Sequence, residues 1–341
     1  MRYLLRACLA GFALAILLGC SAPVTPGGSE VLFSPYKHIN MAVDAANPIA
    51  RSLVHGKLTP LLELAGTRSP TRLAAVTLAF ASGECGQERW GALDADQVAQ
   101  ANVPAMAALG LKYMISTGGE GNVFTCHTDA GMEKFINRYA SRALLGVDFD
   151  IESTQTDANL RELVQRVKVA QLKWPHLRFS FTLATVAASD GTATSLNATG
   201  ASVIRALKEA DVRGYYINLM VMDFGPAAPA HCVVREGRCD MAASARQAVA
   251  SLHHKFGVPL AQIELTAMVG VNDVVGNVFT LDDATALAQF VQSSKLAGLH
   301  YWSLDRDKPC TGGATAVSPE CSSLNQVPEL AYLQSFSHGL R

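Results

Sequence analysis

The sequence predicts a single (β/α)₈ TIM barrel without an inserted α+β domain. Eight short apolar runs resemble strands, and amphipathic runs separate them at intervals of roughly thirty to forty-five residues. A doubly wound sheet could contain as many units, but that fold expects a glycine-rich turn after its first strand. Residues 44–47 (DAAN) follow the first predicted strand instead. The stretch between Met268 and Thr280 leaves no room for an extra domain.

Each element follows from the period of its apolar residues and from its end signals. The predicted strands are residues 39–43, 74–81, 113–116, 144–151, 179–184, 216–222, 264–268 and 298–303. The predicted helices include residues 94–109, 129–144, 158–173, 242–256 and 280–297. Gly110, Gly214, Gly257 and Gly298 stand where helices should end. Residues 280–283 (TLDD) have the pattern of a capping box.

Composition limits the classes of function. The chain has 341 residues, of which 49% are hydrophobic and 17% charged, and its formal net charge is −1. This length suffices for one large domain or two small ones. The chain lacks the basic excess that nucleic-acid binding needs. We therefore expect a monomer without a nucleic-acid partner.

The N-terminus has the features of a bacterial export signal. Arg2 and Arg6 precede an apolar run over residues 7–18, which is too short to span a membrane and ends at Gly19-Cys20. Residues 17–20 (LLGC) resemble a lipobox, which implies removal of residues 1–19 and a lipid anchor on Cys20. Residues 20–32 then form a flexible tether, and residues 33–341 form the barrel. Ser21 after the cysteine suggests an outer-membrane lipoprotein, periplasmic or at the cell surface; an ordinary secretory signal is the alternative.

The remaining cysteines are expected to form disulfides. Without Cys8 and Cys20 their number is even, as is common in an oxidising compartment. Proximity along the chain favours Cys85–Cys126, Cys232–Cys239 and Cys310–Cys321, although other connectivities are possible. Zinc is the alternative, but no paired Cys or His spacing supports it. We expect no metal site and no cofactor.

The fourth predicted strand carries an unusual row of acids. Val147, Phe149 and Ile151 alternate with Asp148, Asp150 and Glu152. A charge run is ordinarily a solvated face, but this one lies within an apolar strand. Three buried carboxylates repel one another and cost desolvation energy, which no packing requirement explains. The pattern predicts a functional site, with the pKa of Glu152 raised by desolvation and by the neighbouring Asp150 charge.

Other strand ends carry informative residues, and in a barrel the active site lies at the C-terminal ends of the strands. Gly118-Gly119 could be a plain turn and Trp302 could belong to the core, but their joint placement predicts a site. Phe80, on the second strand, is expected to line the barrel near a ligand. The strand ends are residues 116–119 (STGG), 220–224 (MVMDF), 268–273 (MVGVND) and 301–307 (YWSLDRD).

These motifs resemble those of glycoside hydrolase family 18, the chitinase family. The resemblance covers the chain from about Ser34 to its end, in the same order. Residues 116–119 match the family's SxGG motif, and residues 220–223 match its MxYD motif. Asp148, Asp150 and Glu152 match the last three acids of its DxxDxDxE motif. Trp302 matches the tryptophan on its last strand.

Two positions depart from the family pattern. Leu145 occupies the position of the first Asp, and Met222 occupies that of the Tyr that helps to hold the substrate's acetamide. The missing hydrogen bond could come from Asn272 or Tyr301. Met222 and Met220 are counted with the substrate-binding residues because this variant resembles one branch of bacterial members.

The resemblance implies substrate-assisted glycoside hydrolysis. Glu152 is then the general acid and base, Asp150 stabilises the oxazolinium, and Asp148 shares a proton with Asp150. Trp302 forms the apolar floor for the distorted sugar. Asp223 lies beside the acetamide and the incoming water.

The resulting expectation is a retaining, endo-acting hydrolase of β-1,4-linked N-acetylglucosamine polymers, chitin or its oligomers. An endo-β-N-acetylglucosaminidase acting on glycoproteins is a close alternative. A non-catalytic glycan-binding lipoprotein is another, for which Leu145 and Met222 are the support. Peptidoglycan remodelling fits an envelope location but has no supporting residue.

Overall fold

A computed structural model of the chain describes residues 31–66, 73–152, 155–274, 276–312 and 316–341. In these residues parallel strands alternate with helices, which confirms the predicted (β/α)₈ barrel. The barrel strands are β1 (Leu32–Phe33 and Tyr36–His38), β2 (Ala75–Ala81), β3 (Lys112–Gly118), β4 (Leu144–Ile151), β5 (Arg178–Ala184), β6 (Tyr216–Met220), β7 (Ile263–Met268) and β8 (Gly298–Trp302). The helices are α1 (Leu61–Gly66), α2 (Ala95–Leu109), α3 (Asp129–Arg138), α4 (Asp157–Lys173), α5 (Ala198–Glu209), α6 (Met241–Phe256), α7 (Leu281–Ser293) and α8 (Ala331–Gly339), with a 3₁₀ turn at Leu260–Gln262.

The predicted signal segment, Cys20 and the tether up to residue 30 lie outside the described residues. Leu32, the last residue of the predicted tether, already belongs to β1. Among the residues described, no helix has both the length and the apolar character that crossing a membrane requires.

The two parts of β1 close the barrel. Leu32–Phe33 pairs with β8, and Tyr36–His38 pairs with β2. The ladder is interrupted at Ser34 and Pro35, and proline cannot donate a ladder hydrogen bond. Because β1 connects the last strand to the second, the sheet has no free edge between them.

The first strand lies upstream of its predicted position, so that prediction is wrong. Residues 39–42 form a turn, and the strand ends at His38. Lys37 is fully buried within β1 because it forms an ion pair with Asp305, at the other end of the sequence. A lysine is rarely buried without a partner, and a partner so distant leaves no local signal.

The predicted end signals are confirmed in part. Gly214 and Gly298 do not end helices, because α5 ends at Glu209, α7 ends at Ser293, and Gly298 is already the first residue of β8. Gly110 and Gly257 cap α2 and α6 with φ angles of 77° and 70°, which glycine adopts without a steric cost. Thr280 and Asp283 form the capping box of α7. The helix predicted over 129–144 ends at Arg138, because β4 begins at Leu144.

Short ladders connect loops around the barrel. Four are antiparallel and lie in the loops that follow β1, β2, β6 and β7. The fifth is parallel and joins the loop after β2 to the loop after β3. In this order, the ladders are Arg51–Val54 with Lys57–Pro60, Arg89–Trp90 with Leu93–Asp94, Val234–Arg235 with Arg238–Cys239, Gly270–Val271 with Val278–Phe279, and Gly83–Glu84 with Phe124–Thr125.

The disulfides join Cys85 to Cys126, Cys232 to Cys239, and Cys310 to Cys321, as predicted. The first joins the loops that follow β2 and β3, and the others close short loops after β6 and β8. All six sulfurs are thereby used, which rules them out as zinc ligands.

Apolar side chains of the strands face the helices, and polar ones face the barrel interior. The rings of Phe149 and Phe181, on β4 and β5, pack 5.4 Å apart between sheet and helices. Asp148, Ser180 and Asn218 point inward and are almost fully buried. The interior of this barrel is therefore polar above its base, as a binding site requires.

Candidate active site

The three acids of β4 differ in depth. Asp148 and Asp150 are 1% and 5% exposed, whereas Glu152, just beyond the strand end, is partly exposed. The strand pairs in register with β3 and β5, which fixes the direction of each side chain. The acids therefore form a column that runs from the barrel interior to its mouth.

Asp148 is held by four hydroxyl groups. Its Oδ2 accepts hydrogen bonds from the hydroxyls of Tyr36 (2.8 Å) and Ser116 (2.6 Å), and its Oδ1 accepts from Ser180 and Thr182 (2.7 Å each). Burial raises the pKa of Asp148, and these four donors lower it. Two donors on each oxygen fill the acceptor positions of a carboxylate. Burial outweighs the donors, so the pKa of Asp148 is raised overall. In the described residues no hydrogen bond joins Asp148 to Asp150.

A second layer of polar groups orients those hydroxyls. Asn218 on β6 donates from Nδ2 to Thr182 (2.8 Å), Thr266 (2.7 Å) and Tyr36 (3.1 Å). Thr266 donates back to the Asn218 Oδ1 at 2.9 Å. The sequence analysis missed this network, although polar residues at alternate positions of apolar strands were its available signal.

Asp150 has a free oxygen. Its Oδ1 is buried and has no hydrogen-bond partner among the described residues. Burial and the neighbouring carboxylates of Glu152 and Asp148 raise the pKa of Asp150 well above its ordinary value. A buried, unsatisfied polar atom costs folding free energy, so its presence indicates a site that a ligand completes.

The pKa of Glu152 is raised toward neutrality. Burial, followed by the charges of Glu120 and Asp223, raises the pKa of Glu152 to about 7, while the Glu120 backbone N–H donates to its carboxylate and lowers it. Asp273 adds to the increase. Burial thus raises the pKa of Glu152, as expected, and the mutual repulsion of Glu152 and Asp150 adds to the high pKa of Asp150.

Aromatic rings line the barrel beside the acids. Phe80 and Trp302, both partly exposed, stack with centroids 5.4 Å apart and planes 18° apart. Tyr36 and His38 contact both rings. The peptide bonds before Phe80 and Ser303 are cis. Phe80 therefore lines the barrel interior, as predicted.

His38 is a site residue that the sequence analysis missed. Burial and the charge of Lys37 lower the pKa of His38 to about 4, so the ring is neutral near pH 7. Its backbone N–H donates to Asp305 at 3.1 Å. It lies one residue before the predicted first strand (39–43) and in the structure ends β1, so the misplaced strand hid it.

Glycines let the strands and rings approach closely. A Cβ on Gly119 would lie 2.5 Å from the ring of Phe80. The Gly119 N–H donates to the Asp150 carbonyl oxygen at 3.3 Å. A Cβ on Gly118 would lie 2.1 Å from the Asp150 carbonyl oxygen. A side chain at either glycine of the STGG segment would therefore clash, with Phe80 at Gly119 and with β4 at Gly118.

Asp223 lies next to the acid column in a left-handed conformation, with φ of 47°. Its N–H donates to the Asn272 Oδ1 at 3.2 Å, and its own Oδ1 accepts from the Val274 N–H at 2.8 Å. Burial raises the pKa of Asp223. Met220 is 9% exposed on the inward face of β6, and Met222 is partly exposed beyond the strand end.

Two predicted ligand contacts are wrong. Tyr301 is fully buried on the outer face of β8, stacks on Phe336 of α8, and donates to Asp307 at 3.1 Å. Asn272 is also fully buried, and its amide nitrogen donates to the Met268 and Gly270 carbonyl oxygens. Neither side chain can replace the tyrosine whose position Met222 occupies, since both are used within the fold.

Leu145 lies at the other end of β4 from Glu152. Seven residues of strand separate the two, about 23 Å at the usual rise. Trp90 is fully buried and donates from Nε1 to the Tyr139 hydroxyl at 2.8 Å. It belongs to the core.

The chain resembles two chitinases in sequence. It is 30% identical over 256 residues to the probable bifunctional chitinase/lysozyme of Escherichia coli (strain K12), covering 69% of this chain and 27% of that protein. It is 30% identical over 237 residues to endochitinase 11 of Metarhizium anisopliae, covering 63% of this chain and 44% of that protein. The chain thus spans less than half the length of each relative. No protein-family model matches it.

Solved structures share its fold. The catalytic domain of a hyperthermophilic chitinase from Pyrococcus furiosus superposes with a TM-score of 0.70 at 24% identity, covering 92% of this chain and 95% of that one. A catalytic-site mutant of active domain 2 of the thermostable Pyrococcus furiosus chitinase, complexed with chito-oligosaccharides, gives 0.68 at 25% identity with the same coverage. With the sequence relatives, these similarities identify the chain as a chitinase-like protein of glycoside hydrolase family 18.

Proposed function

We propose that the chain hydrolyses β-1,4-linked N-acetylglucosamine polymers, chitin or its oligomers, with retention of configuration. The observation that carries the proposal is the position of Glu152, with a pKa of about 7, above the buried and unpartnered Oδ1 of Asp150. Trp302 and Phe80 stack on each other and are both partly exposed, so they can offer apolar ring surface to a sugar. The chitinases among the relatives, and the chito-oligosaccharide complex of a neighbour, support this substrate class.

Glu152 supplies and recovers the proton. A carboxyl group with a pKa near 7 is protonated in a large fraction of molecules at neutral pH. The 2-acetamido oxygen of the donor sugar attacks the anomeric carbon, the bond to the leaving oxygen breaks, and that oxygen takes the proton of Glu152. Water then attacks the same carbon, Glu152 takes a proton from it, and the acetamide is restored. Two displacements at one carbon retain its configuration.

Asp150 stabilises the intermediate rather than forming a bond to it. Residues two apart on a strand are separated by about 6.5–7 Å, so Asp150 lies too deep to attack the carbon that Glu152 serves. Its free Oδ1 can accept the acetamide N–H, and the positive charge that develops there favours the ionised carboxyl. Asp148 beneath it, held by hydroxyls, adds negative charge.

An open groove supports cleavage within the polymer. Between β7 and α7 the described residues form only the short ladder of Gly270–Val271 with Val278–Phe279. A loop of this size adds no wall to the mouth of the barrel. The shortness of this loop supports the endo mode that we propose.

The test is a product time course on soluble chitin oligomers with the wild type and Glu152→Gln. We expect release of reducing ends to fall by about 10²–10⁴-fold in the variant, with an unchanged circular dichroism spectrum. Full activity in the variant would refute the assignment. Parallel digestion of a high-mannose glycoprotein tests the endo-β-N-acetylglucosaminidase alternative.

The second candidate is glycan binding without hydrolysis, which Met222 at the position of the family's tyrosine favours. Against it, the buried Asp150 has an unpartnered oxygen that costs stability and that a binder does not need. Calorimetric binding of oligomers with no products after long incubation would favour this candidate.

We also propose that the protein is exported and anchored through Cys20. Three disulfides support an oxidising compartment. In the native bacterium, Cys20→Ser should move the protein from the membrane fraction to the soluble fraction. An unchanged membrane fraction would contradict anchoring through Cys20.

A further inference from the structure

A free carboxylate lies beside the proposed general acid. Glu120 directly follows the Gly118-Gly119 pair at the end of β3, and its side chain is exposed. Its backbone N–H donates to the Glu152 carboxylate, and its negative charge acts on Glu152 more strongly than that of any other acid. The side chain of Glu120 is therefore at the mouth of the barrel, within reach of whatever Glu152 contacts.

The backbone of Glu120 is held in place. The Asn122 N–H donates to the Gly119 carbonyl oxygen at 3.0 Å, and the Asn122 Nδ2 donates to the Glu120 carbonyl oxygen at 2.9 Å. The Gly119 N–H is bonded to Asp150 on β4. This turn fixes where the carboxylate can reach, although the carboxylate itself accepts no hydrogen bond and forms no ion pair within the described residues.

The mouth of the barrel carries uncompensated negative charge. Asp223 and Asp273, with Glu120, are the acids whose charges act on Glu152. The buried Arg306 interacts with Asp273 and Asp223, which leaves Glu120 as the carboxylate without a cation. The unpartnered Asp150 Oδ1, in a residue 95% buried, lies in the inward-facing column directly below Glu152 and is a second observation that points to a ligand here.

The chemistry of the reaction determines which sugar Glu120 meets. Glu152 protonates the oxygen of the leaving sugar, so that sugar lies against Glu152 and next to Glu120. The donor sugar must carry an acetamide, because its acetamide oxygen is the nucleophile. The leaving sugar has no such requirement, and its 2-amino group can be free and protonated.

We propose that Glu120 binds the ammonium group of a glucosamine in the leaving position, so that the site cleaves partly N-deacetylated chitin preferentially between N-acetylglucosamine and glucosamine. This inference rests on the proposed hydrolysis. It concerns the substrate class of the same site and assigns Glu120 as a specificity-determining residue.

The test uses the mature protein and a randomly, partly N-acetylated chitosan in mildly acidic buffer, where free amines are protonated. Mass spectrometry of the earliest products identifies the sugar at each new non-reducing end, which occupied the leaving position. We expect glucosamine there roughly two- to fivefold above its random share, the size of an exposed ion pair. Glu120→Gln should return the share to random, and Glu120→Lys should take it below random.

The control is Glu133→Gln, which removes an exposed carboxylate from α3 and should keep the enrichment. Wild-type enrichment should also fall as ionic strength rises, because exposed charges are screened, and as pH rises and the amines lose their protons. These two series need no variant.

The possible failures are distinguishable. Random new non-reducing ends in the wild type, or an enrichment that Glu120→Gln leaves unchanged, would overturn this inference while fully acetylated oligomers were still cleaved. Absence of cleavage of both polymers would overturn the proposed function and this inference with it.

Discussion

A Cβ atom on Gly118 would lie 2.1 Å from the carbonyl oxygen of Asp150. The two residues are partners in the register of β3 and β4, and Gly118 has a φ of 82°. The close approach of these strands sets the height of Asp150 and, two residues later, of Glu152. The position of the proposed general acid thus depends on the absence of one methyl group on the neighbouring strand.

Gly118→Ala should lower kcat about 100-fold. The added methyl group would push Asp150 and Glu152 away from β3, and a displacement of about 1 Å at reacting groups can cost that much. Gly110→Ala is the matched control: its φ is 77° and no atom lies within 4 Å of an added Cβ. Both variants bear a left-handed alanine, at about 1–2 kcal/mol, but only the first has a clash. Equal kcat values for the two, measured on soluble chitin oligomers, would contradict the role given to this contact.

The pH profile of the reaction should report the pKa of Glu152. The acid must be protonated to release the leaving group, and the pKa of Glu152 is about 7. We therefore expect kcat/KM on neutral chitin oligomers to fall tenfold per pH unit above about pH 7, since kcat/KM follows the free enzyme. A decline that begins near the ordinary pKa of glutamate, about 4.3, would show that burial does not act on this group as described.

The acid column and the floor of the site could be predicted from sequence because each is encoded locally. Alternation of Val147, Phe149 and Ile151 with three acids defines the two faces of β4 without knowledge of any other strand. Trp302 was identified from its place at a strand end and from the family resemblance, whereas the period of the second strand alone could not assign Phe80 to a face. The disulfides followed from proximity along the chain.

What could not be predicted depends on partners remote in sequence. The first strand was predicted too late in the sequence because it contains Lys37, and a lysine can be buried there only through its ion pair with Asp305. The prediction that Tyr301 contacts the ligand could have been avoided. Adjacent residues of a strand point to opposite faces, so a strand that turns Trp302 inward must turn Tyr301 outward. Asn272 gave no such signal, since only the folded loop shows that its amide is used by Met268 and Asp223.

Removing a disulfide should lower the free energy of unfolding by an amount that increases with the length of chain that the disulfide closes. Cys85 and Cys126 are 41 residues apart, and Cys232 and Cys239 are 7 apart. Restriction of the unfolded chain predicts a loss of about 4 kcal/mol for the first pair and about 2 kcal/mol for the second. Urea unfolding of the two double alanine variants measures this difference. Equal losses would show that native packing around the sulfurs, and not chain entropy, dominates.

Asp150→Asn should make the protein more stable while abolishing its proposed activity. The pKa of Asp150 is raised well above its ordinary value, chiefly by burial and then by Glu152 and Asp148. The folded state therefore keeps a proton that the unfolded chain loses above about pH 3.9. Wild-type stability falls as the pH rises from that value toward the raised pKa of the folded state.

Asparagine has a similar shape and no proton to lose, so the gain from Asp150→Asn should be near zero at pH 3.5 and reach about 0.5–2 kcal/mol at pH 8. Urea unfolding of both proteins at the two pH values measures the double difference. Glu133→Gln, which removes an exposed carboxylate, should show no gain that grows with pH. If Asp150→Asn were destabilising at pH 8, the buried carboxyl would be compensated within the fold, and its unpartnered oxygen would not be held for a ligand at the expense of stability.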